Sequence, residues 1–395
     1  GETEAGRAGQ EARNLPQRSS SGERPTSSCS MSRRLGLLLA VATFVAASSP
    51  GAAQAPGSGA IPGSDGTLLP GGVEFAPLDA TLEVVASGFG IPWAVEVLGE
   101  DEYLVSERFG SLVLVRDGDM IELEGLPASQ IFPAPPLYLG GYNDVSLHPQ
   151  FETNGLVYLA YVGEDYRMAV GRFDFSDRTV RDFEVVFQSN AFSIGSRIAW
   201  QDDDHFFVTQ GMAGYPHPDP GAQDLGNHSG KIHRLHADGS VPSDNPVFDG
   251  TAGPTSIWSY GHRDTQGLLI DGDTLFSNEH GPLGGDELNV IERGGNYGWP
   301  LFSFGLNYDE TPVGGMSEAE AAQTTVLPLK AWDRTFNMAP SGLVRMEASA
   351  FPAWDGAFLW GSLAQRRLIA YDPSTDRTAI LLDDVGRIRD VTQLP

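Results

Sequence analysis

Short runs of β-branched and aromatic residues alternate with Gly, Asp, Asn and Pro from Leu78 onward. Their apolar residues are spaced as in strands, whereas helical periodicity is scarce and is clearest over residues 316–323. Many short strands with frequent turns are typical of an all-β sandwich, barrel or propeller. The clearest predicted strands are residues 102–107, 111–118, 156–162, 205–211, 231–239, 274–279, 357–362 and 367–372.

One type of segment recurs along the chain, in which a polar residue and an Asp or Gly precede aromatic and aliphatic residues. It begins near positions 102, 155, 205, 273 and 356, and another strand ending in a turn follows each time. A spacing of roughly 50–80 residues fits four-stranded propeller blades with insertions. The recurrence therefore favours a propeller over a sandwich or a barrel.

The N-terminal part of the chain lacks this pattern. Residues 1–30 have no hydrophobic pattern, and we expect them to be a non-native leader. Residues 31–53 combine a basic start, an apolar run and small residues, which predicts a signal peptide and a periplasmic or secreted protein. Residues 54–77 are rich in Gly, Pro and Ser and are predicted to be a flexible lead-in. The folded domain is then 78–395.

The formal net charge is −27, from 25 Lys and Arg against 52 Asp and Glu. This balance argues against nucleic acid as a partner, because phosphates are bound by Lys and Arg. The apolar run of the signal peptide is too short for an ordinary membrane span, so we expect none in the mature chain. The sole cysteine, Cys29, falls in the leader, which leaves no disulfide or thiolate site.

Chemically active side chains are concentrated between residues 257 and 300. Arg263 and Asp264 are adjacent there, and Gly281 and Pro282 begin a Gly-rich loop that leads to Glu287. Carboxylates and backbone carbonyls on such a loop suit calcium, although most loops of this kind are solvated turns.

Two arginines near the C-terminal end form a second candidate site. Arg387 and Arg389 alternate, so both side chains should lie on the same side of a strand. Arginine binds planar carboxylates through paired hydrogen bonds. The pair therefore predicts either an anionic ligand or a structural ladder of ion pairs.

Together these stretches resemble the soluble quinoprotein glucose/sorbosone dehydrogenases, which include the aldose sugar dehydrogenases. The resemblance implies a six-bladed β-propeller that binds pyrroloquinoline quinone (PQQ) and calcium and oxidises a sugar at its anomeric carbon, passing electrons to an acceptor that the sequence does not identify. The matching segments, in family order, are residues 91–98, 140–151, 221–248, 257–300, 338–346 and 387–391.

The resemblance also implies roles for the residues that contact the cofactor. Arg263 matches the arginine that contacts the quinone carbonyls, and Gln266 matches another cofactor contact. Arg387 and Arg389 match the pair that holds the cofactor carboxylates. Asp264 stands beside Arg263, where the family usually has asparagine, and both Arg263 and Asp264 are candidate catalytic residues.

Four further positions match calcium sites of the family. Gly281 and Pro282 match positions whose backbone carbonyls bind the calcium at the cofactor. Glu287 and Tyr297 match positions associated with a further calcium ion.

Three further positions depart from the family pattern. Ser193 stands in the place of the histidine that is the general base, Ala364 in that of a quinone-binding lysine, and Leu139 in that of a glutamine. Hydride transfer needs a base to take the hydroxyl proton, and the serine hydroxyl is a very weak one. Three functions remain open: an active sugar dehydrogenase, a catalytically degenerate propeller that binds a sugar or partner protein, and a calcium-dependent hydrolase or lactonase.

The last segment of the chain, RIRDVTQLP, is a further departure. Family members continue with one or two strands that complete the final blade. We therefore expect the last blade to be incomplete at the C-terminus.

Overall fold

The computed structural model describes residues 37–42, 72–78, 82–132, 138–211, 220–347 and 351–394. The predicted leader lies outside these ranges, as do most of the predicted signal peptide and most of the lead-in. No helix within the described ranges is long and apolar enough to cross a membrane.

The strands form a series of antiparallel meanders, preceded by β1 (Leu37–Ala42) and β2 (Glu74–Phe75). The first blade consists of β3 (Pro92–Gly99), β4 (Glu102–Glu107), β5 (Ser111–Arg116) and β6 (Asp119–Glu122). A short two-stranded sheet follows, β7 (Ile131–Phe132) and β8 (Leu139–Gly140). The second blade consists of β9 (Tyr142–Leu147), β10 (Leu156–Val162), β11 (Met168–Asp174) and β12 (Arg181–Gln188). The third blade consists of β13 (Ile198–Trp200), β14 (His205–Gln210), β15 (Lys231–His236) and β16 (Ile257–Tyr260). The fourth blade consists of β17 (Thr265–Asp271), β18 (Thr274–Glu279), β19 (Asp286–Val290) and β20 (Lys330–Trp332). The fifth blade and the last strand are β21 (Pro340–Arg345), β22 (Phe358–Ser362), β23 (Leu368–Asp372), β24 (Arg377–Leu382) and β25 (Arg387–Gln393).

Helices are few, as the sequence predicted. The α-helices are α1 (Phe151–Asn154) and α2 (Glu318–Thr324), and the 3₁₀ turns are Pro220–Gln223, Arg334–Phe336 and Pro352–Trp354. Helix α2 overlaps the predicted segment 316–323. It begins with a capping box in which Ser317 and Glu320 satisfy each other's backbone N–H groups.

The inner strands close into a ring, which confirms the propeller. β3, β9, β13, β17 and β21 are the first strands of the five blades, and each contacts the next around a central axis. β25 lies between β21 and β3 and completes the ring. The prediction of six blades is not confirmed, because the described residues form five four-stranded blades. In the sixth place β25 pairs antiparallel with β1, inside the predicted signal peptide, and β2 adds to the outer edge of the fifth blade.

Apolar side chains fill the spaces between neighbouring blades. Between the first two blades, Trp93, Leu104 and Leu112 pack against Tyr142 and Val157, all of them buried. Equivalent clusters lie between each later pair of blades. Because these layers fix the blades to one another, the polar residues of the inner strands are held around the axis in a fixed arrangement.

Candidate functional site

Buried arginines are grouped at one end of the axis, which we call the mouth. Arg389 on β25 places its guanidinium carbon 4.7 Å from the centre of the Trp93 ring. Arg108, which directly follows β4, stacks on the same ring at 3.9 Å. Arg387 lies two residues before Arg389 on the strand, on the same side. Burial lowers the pKa of Arg389, and the charges of Arg108 and Arg387 lower it further. The side chains are therefore close enough to repel one another.

Asp264 is the carboxylate that faces this cluster, and its charge acts on both Arg108 and Arg389. Gln266 Nε2 donates a hydrogen bond to Asp264 Oδ1 at 2.6 Å. His280 Nδ1 lies 3.2 Å from Oδ2 of the same carboxylate. Burial acts to raise the pKa of Asp264, but His280, Arg263 and Gln266 outweigh it, so the pKa is lowered. The group is therefore a carboxylate at neutral pH.

Arg263 joins the same pocket from the fourth blade. Its Nη1 donates to the backbone carbonyl of His280 at 3.0 Å, and its Nη2 donates to the Tyr308 hydroxyl at 3.1 Å. The guanidinium lies 5.4 Å from the centre of the Trp299 ring. The structure thus brings together the four residues predicted to bind the cofactor, Arg263, Gln266, Arg387 and Arg389, with the candidate catalytic residue Asp264.

Several buried polar atoms of the mouth have no hydrogen-bond partner among the described residues. They are the Nε atoms of Arg263, Arg387 and Arg389 and Oε1 of Gln266. Leaving a buried charged donor unsatisfied is costly, and such atoms in a native protein are commonly satisfied by a ligand or solvent. An anion with planar carboxylates and carbonyl oxygens fits the three arginine donors, whereas Gln266 Oε1 is an acceptor.

The loop that carries Ser193 lies against the same pocket. A Cβ on Gly211 would lie 2.8 Å from Asp264 Oδ1 and 3.0 Å from Ile194 Cγ1. Ser193 is fully buried, and its hydroxyl donates to the Gly195 carbonyl at 2.6 Å and accepts from Ser196 Oγ at 3.1 Å. The hydroxyl donates and accepts hydrogen bonds within its own loop, and it is a very weak base, so Ser193 is poorly suited to take a proton from a substrate.

The other two departures from the family pattern supply no polar group. Ala364 is exposed, and its backbone N–H donates to the Met338 carbonyl at 3.0 Å. Leu139 is half-buried and pairs with Phe132 between β7 and β8.

The predicted calcium loop is held by Asp286. Its Oδ1 accepts from the Gly281 N–H at 3.0 Å, and its Oδ2 accepts from the N–H groups of Met338 and Ala339 at 2.7 and 2.9 Å. No hydrogen bond within the described chain uses the carbonyl oxygen of Gly281 or Pro282. These carbonyls are therefore available to a cation.

The other two predicted calcium ligands are Glu287 and Tyr297. Glu287 is opposite Glu279 in the β18–β19 register, and burial and then the charge of Glu279 raise its pKa. The Tyr297 hydroxyl donates to the Val290 carbonyl at 2.6 Å and accepts from the Glu292 N–H at 2.7 Å. With that hydroxyl engaged, Tyr297 can offer a cation only its backbone carbonyl.

Arg108 is the part of the pocket that sequence reasoning missed. It donates to the backbone carbonyls of Tyr138 and Ile194, so it connects the first blade to the loop of Ser193. The available signal was a basic residue directly after the predicted strand 102–107, in a chain with few basic residues.

Comparison with known proteins identifies the family of this chain. A model of the glucose/sorbosone dehydrogenase family matches residues 89–395. The aldose sugar dehydrogenase YliI of Escherichia coli K12 is 32% identical over 343 residues, which cover 81% of this chain and 89% of that protein.

Solved structures of similar proteins have the same fold. The apo-form of the soluble aldose sugar dehydrogenase of Escherichia coli matches with a TM-score of 0.65 and 31% identity, over 76% of this chain and 89% of the other. The PQQ-bound aldose sugar dehydrogenase of Streptomyces coelicolor matches with a TM-score of 0.62 and 26% identity, over 80% and 90% of the two chains.

Proposed function

The chain belongs to the glucose/sorbosone dehydrogenase family, and on that premise we propose that it binds PQQ at the mouth and oxidises an aldose or a related sugar. The observation that carries the proposal is the group of buried arginines whose Nε atoms lack partners. These donors suit a cofactor with several carboxylates and two adjacent carbonyls. The bound quinone would supply the hydride acceptor, which the side chains of the protein cannot.

Each arginine would have a distinct task in holding the cofactor. Arg387 and Arg389 would bind its carboxylates, because they are adjacent on one side of β25. Arg263 and Gln266 would contact the reactive carbonyls from the fourth blade. Arg108 would hold the Ser193 loop against the pocket, through its bonds to two backbone carbonyls.

Asp264 is the residue that we propose as the proton acceptor in place of the missing histidine. It is ionised, it is buried beside Arg263, and its carboxylate lies against the loop of Ser193. A base with a low pKa accepts a proton less readily than an imidazole does. We therefore expect slower turnover than a histidine at position 193 would give.

Calcium is proposed at two places. Gly281 and Pro282 would offer backbone carbonyls to an ion at the cofactor, in a loop that Asp286 holds in place. Glu287 and the Tyr297 carbonyl would bind a further ion, whose charge would offset the adjacent Glu279 and Glu287 carboxylates. Hard oxygen ligands of this kind suit calcium better than a transition metal.

We also propose a periplasmic or secreted location, based on the signal-peptide pattern of residues 31–53. The sixth position of the ring would belong to a sixth blade of which β25 is the inner strand. The support for this is that β25 contacts both β21 and β3 around the axis.

The test is to load the full chain with PQQ and calcium and to measure dye reduction with a panel of aldoses. Reduction that depends on both sugar and PQQ supports the dehydrogenase. Tight PQQ binding without turnover would instead favour a catalytically degenerate binding protein, which the engaged hydroxyl of Ser193 makes the second candidate. Absence of PQQ binding would contradict the dehydrogenase.

A further inference from the structure

We propose that the chain has a site for a divalent transition-metal ion, separate from the mouth and from the two proposed calcium sites, formed by Asp202, Asp204, His205 and His236 in the third blade. One ligand atom each from Asp204, His205 and His236 lies within 4.8 Å of the other two. The four residues offer two imidazole nitrogens and two carboxylates. This donor set suits zinc, nickel or copper rather than calcium.

The strand register brings the two histidines together. His205 begins β14 and His236 ends β15, and the two are directly opposite in the antiparallel ladder. Their ring centres are 4.5 Å apart. Because both backbones are fixed in the sheet, the imidazoles are neighbours before any ion arrives, which lowers the entropy cost of binding.

Each histidine already has a carboxylate at its Nδ1 atom. His205 Nδ1 lies 2.9 Å from Asp202 Oδ1, and His236 Nδ1 lies 2.9 Å from Asp204 Oδ2. Ligand atoms around a tetrahedral zinc are roughly 3.3–3.5 Å apart, given bonds of about 2.0–2.1 Å. Small side-chain movements would therefore convert these hydrogen-bonded pairs into a coordination shell.

The turn that carries the carboxylates is also held in place. Asp202 Oδ1 accepts from the N–H groups of Asp204 and His205, both at 2.8 Å. The Ala237 N–H donates to the Asp204 carbonyl at 2.6 Å, which joins this turn to the end of β15. The side chains of His205 and His236 are 20% and 30% exposed, so an ion can reach them from solvent.

The site is remote from the mouth. Gly211, which follows β14, approaches Asp264, whereas His205 is at the opposite end of the same strand. Six residues of extended strand separate them by roughly 20 Å. An ion at the histidines would therefore join two strands of one blade without contacting the cofactor pocket.

The experiment is a titration of the full chain with zinc by calorimetry, in excess calcium so that hard-cation sites are filled. We expect one saturable equivalent. His205→Ala and His236→Ala should each weaken zinc binding at least about tenfold, since even the loss of an outer-shell partner costs roughly 10–100-fold. Asp238→Asn is the matched control, because it removes an exposed negative charge near His236 without removing a ligand, and it should change the affinity by less than about threefold.

Cobalt provides a readout that does not depend on the variants folding. One equivalent of Co²⁺ added to the unmodified chain should give visible absorption bands of a nitrogen-ligated ion, and zinc should abolish them. The proposal is overturned if the chain shows no saturable zinc equivalent, if the cobalt spectrum is that of the hydrated ion, or if both histidine variants bind zinc as tightly as the original.

Discussion

Two neighbouring regions along the propeller axis bury ionisable groups of opposite type. At the mouth, Arg108, Arg387 and Arg389 are grouped around Asp264. Farther along the axis, a cavity of about 200 Å³ is lined by three carboxylates and Arg197. Those carboxylates belong to Glu96, Asp144 and Asp390, and all are buried or nearly so.

Arg197 separates the two groups and connects the inner strands. Its Nη1 lies 3.1 Å from Asp144 Oδ1 and 3.2 Å from Asp390 Oδ1. Its Nε donates to the Gln266 carbonyl at 2.8 Å, and its Nη2 donates to the Arg389 carbonyl. One buried guanidinium thus links three inner strands, β9, β17 and β25, and lies between the mouth and the cavity.

The mouth and the cavity differ in whether they need a ligand to neutralise their charge. Crowded carboxylates can take up protons: burial and then Asp144 raise the pKa of Glu96 to about 8. Arginine gives up its proton far less readily, so the mouth retains its positive charge. A buried excess of unneutralised charge is strongly destabilising. The mouth therefore needs a bound anion to neutralise its charge. The acidic cavity needs no ligand, because its carboxylates can be neutralised by protons.

The largest expected effect comes from Asp264→Asn, which keeps the shape of the side chain but removes its ability to take a proton. Turnover should fall about 10²–10⁴-fold, the usual contribution of a general base, while PQQ affinity changes less than about tenfold. Steady-state dye reduction and PQQ titration measure the two quantities.

A double variant tests the same assignment by providing a base at another position. Ser193→His combined with Asp264→Asn restores the residue types of the family at both positions, and it should recover turnover relative to Asp264→Asn alone. If Asp264→Asn keeps turnover within about tenfold of the original, Asp264 is not the base.

A smaller effect is expected for Arg389→Gln, which removes one of the charges at the mouth. Losing one member of a buried charged contact costs roughly 2–5 kcal/mol, so PQQ affinity should fall about 100-fold. Arg366→Gln is the control, because Arg366 is exposed and pairs with Asp384 at the surface. Equal affinities of the two variants would show that Arg389 does not contact the cofactor.

The carboxylates of the acidic cavity should affect the stability of the protein rather than its binding of PQQ. The folded state holds a proton on Glu96 up to about pH 8, whereas an unfolded glutamate loses it near 4.5, so stability falls as the pH rises between these values. Glu96→Gln should remove this loss. The free energy of unfolding at pH 9 should rise by about 2 kcal/mol in this variant. The full pKa shift, at about 1.4 kcal/mol per pKa unit, would give more, but buried sites relax.

Denaturant unfolding at pH 5 and pH 9 measures this difference. The exposed Glu122→Gln is the matched control and should unfold like the original chain at both values. A Glu96→Gln variant with the same loss of stability between pH 5 and pH 9 as the original chain would show that Glu96 does not hold the proton. PQQ affinity should be unchanged in both variants.

Much of the fold could be predicted from local patterns. Predicted strands 102–107, 156–162 and 274–279 coincide with β4, β10 and β18, because the periodicity of a strand is a property of neighbouring residues. The alternation of Arg387 and Arg389 likewise predicted two side chains on one face of a strand. What local patterns did not give was the number of complete blades, which depends on how distant segments pair.

The arrangement around the axis could not be predicted in the same way. Glu96, Asp144 and Asp390 meet because ring closure brings the first inner strand beside the last one, across 294 positions of sequence. Alternation does not say which polar residues of an inner strand face the axis. Arg108 was missed for the same reason, since its neighbours Ile194 and Asp264 come from other blades.

Calorimetric titrations of the calcium-loaded full chain with two quinones show directly whether the mouth is an anion site. PQQ carries carboxylates, whereas phenanthroline-5,6-dione is an ortho-quinone without them. If the arginines of the mouth form an anion site, PQQ should bind at one equivalent and at least about 100-fold more tightly than the uncharged quinone. Equal affinity for the two quinones, or no binding of PQQ, would contradict the account.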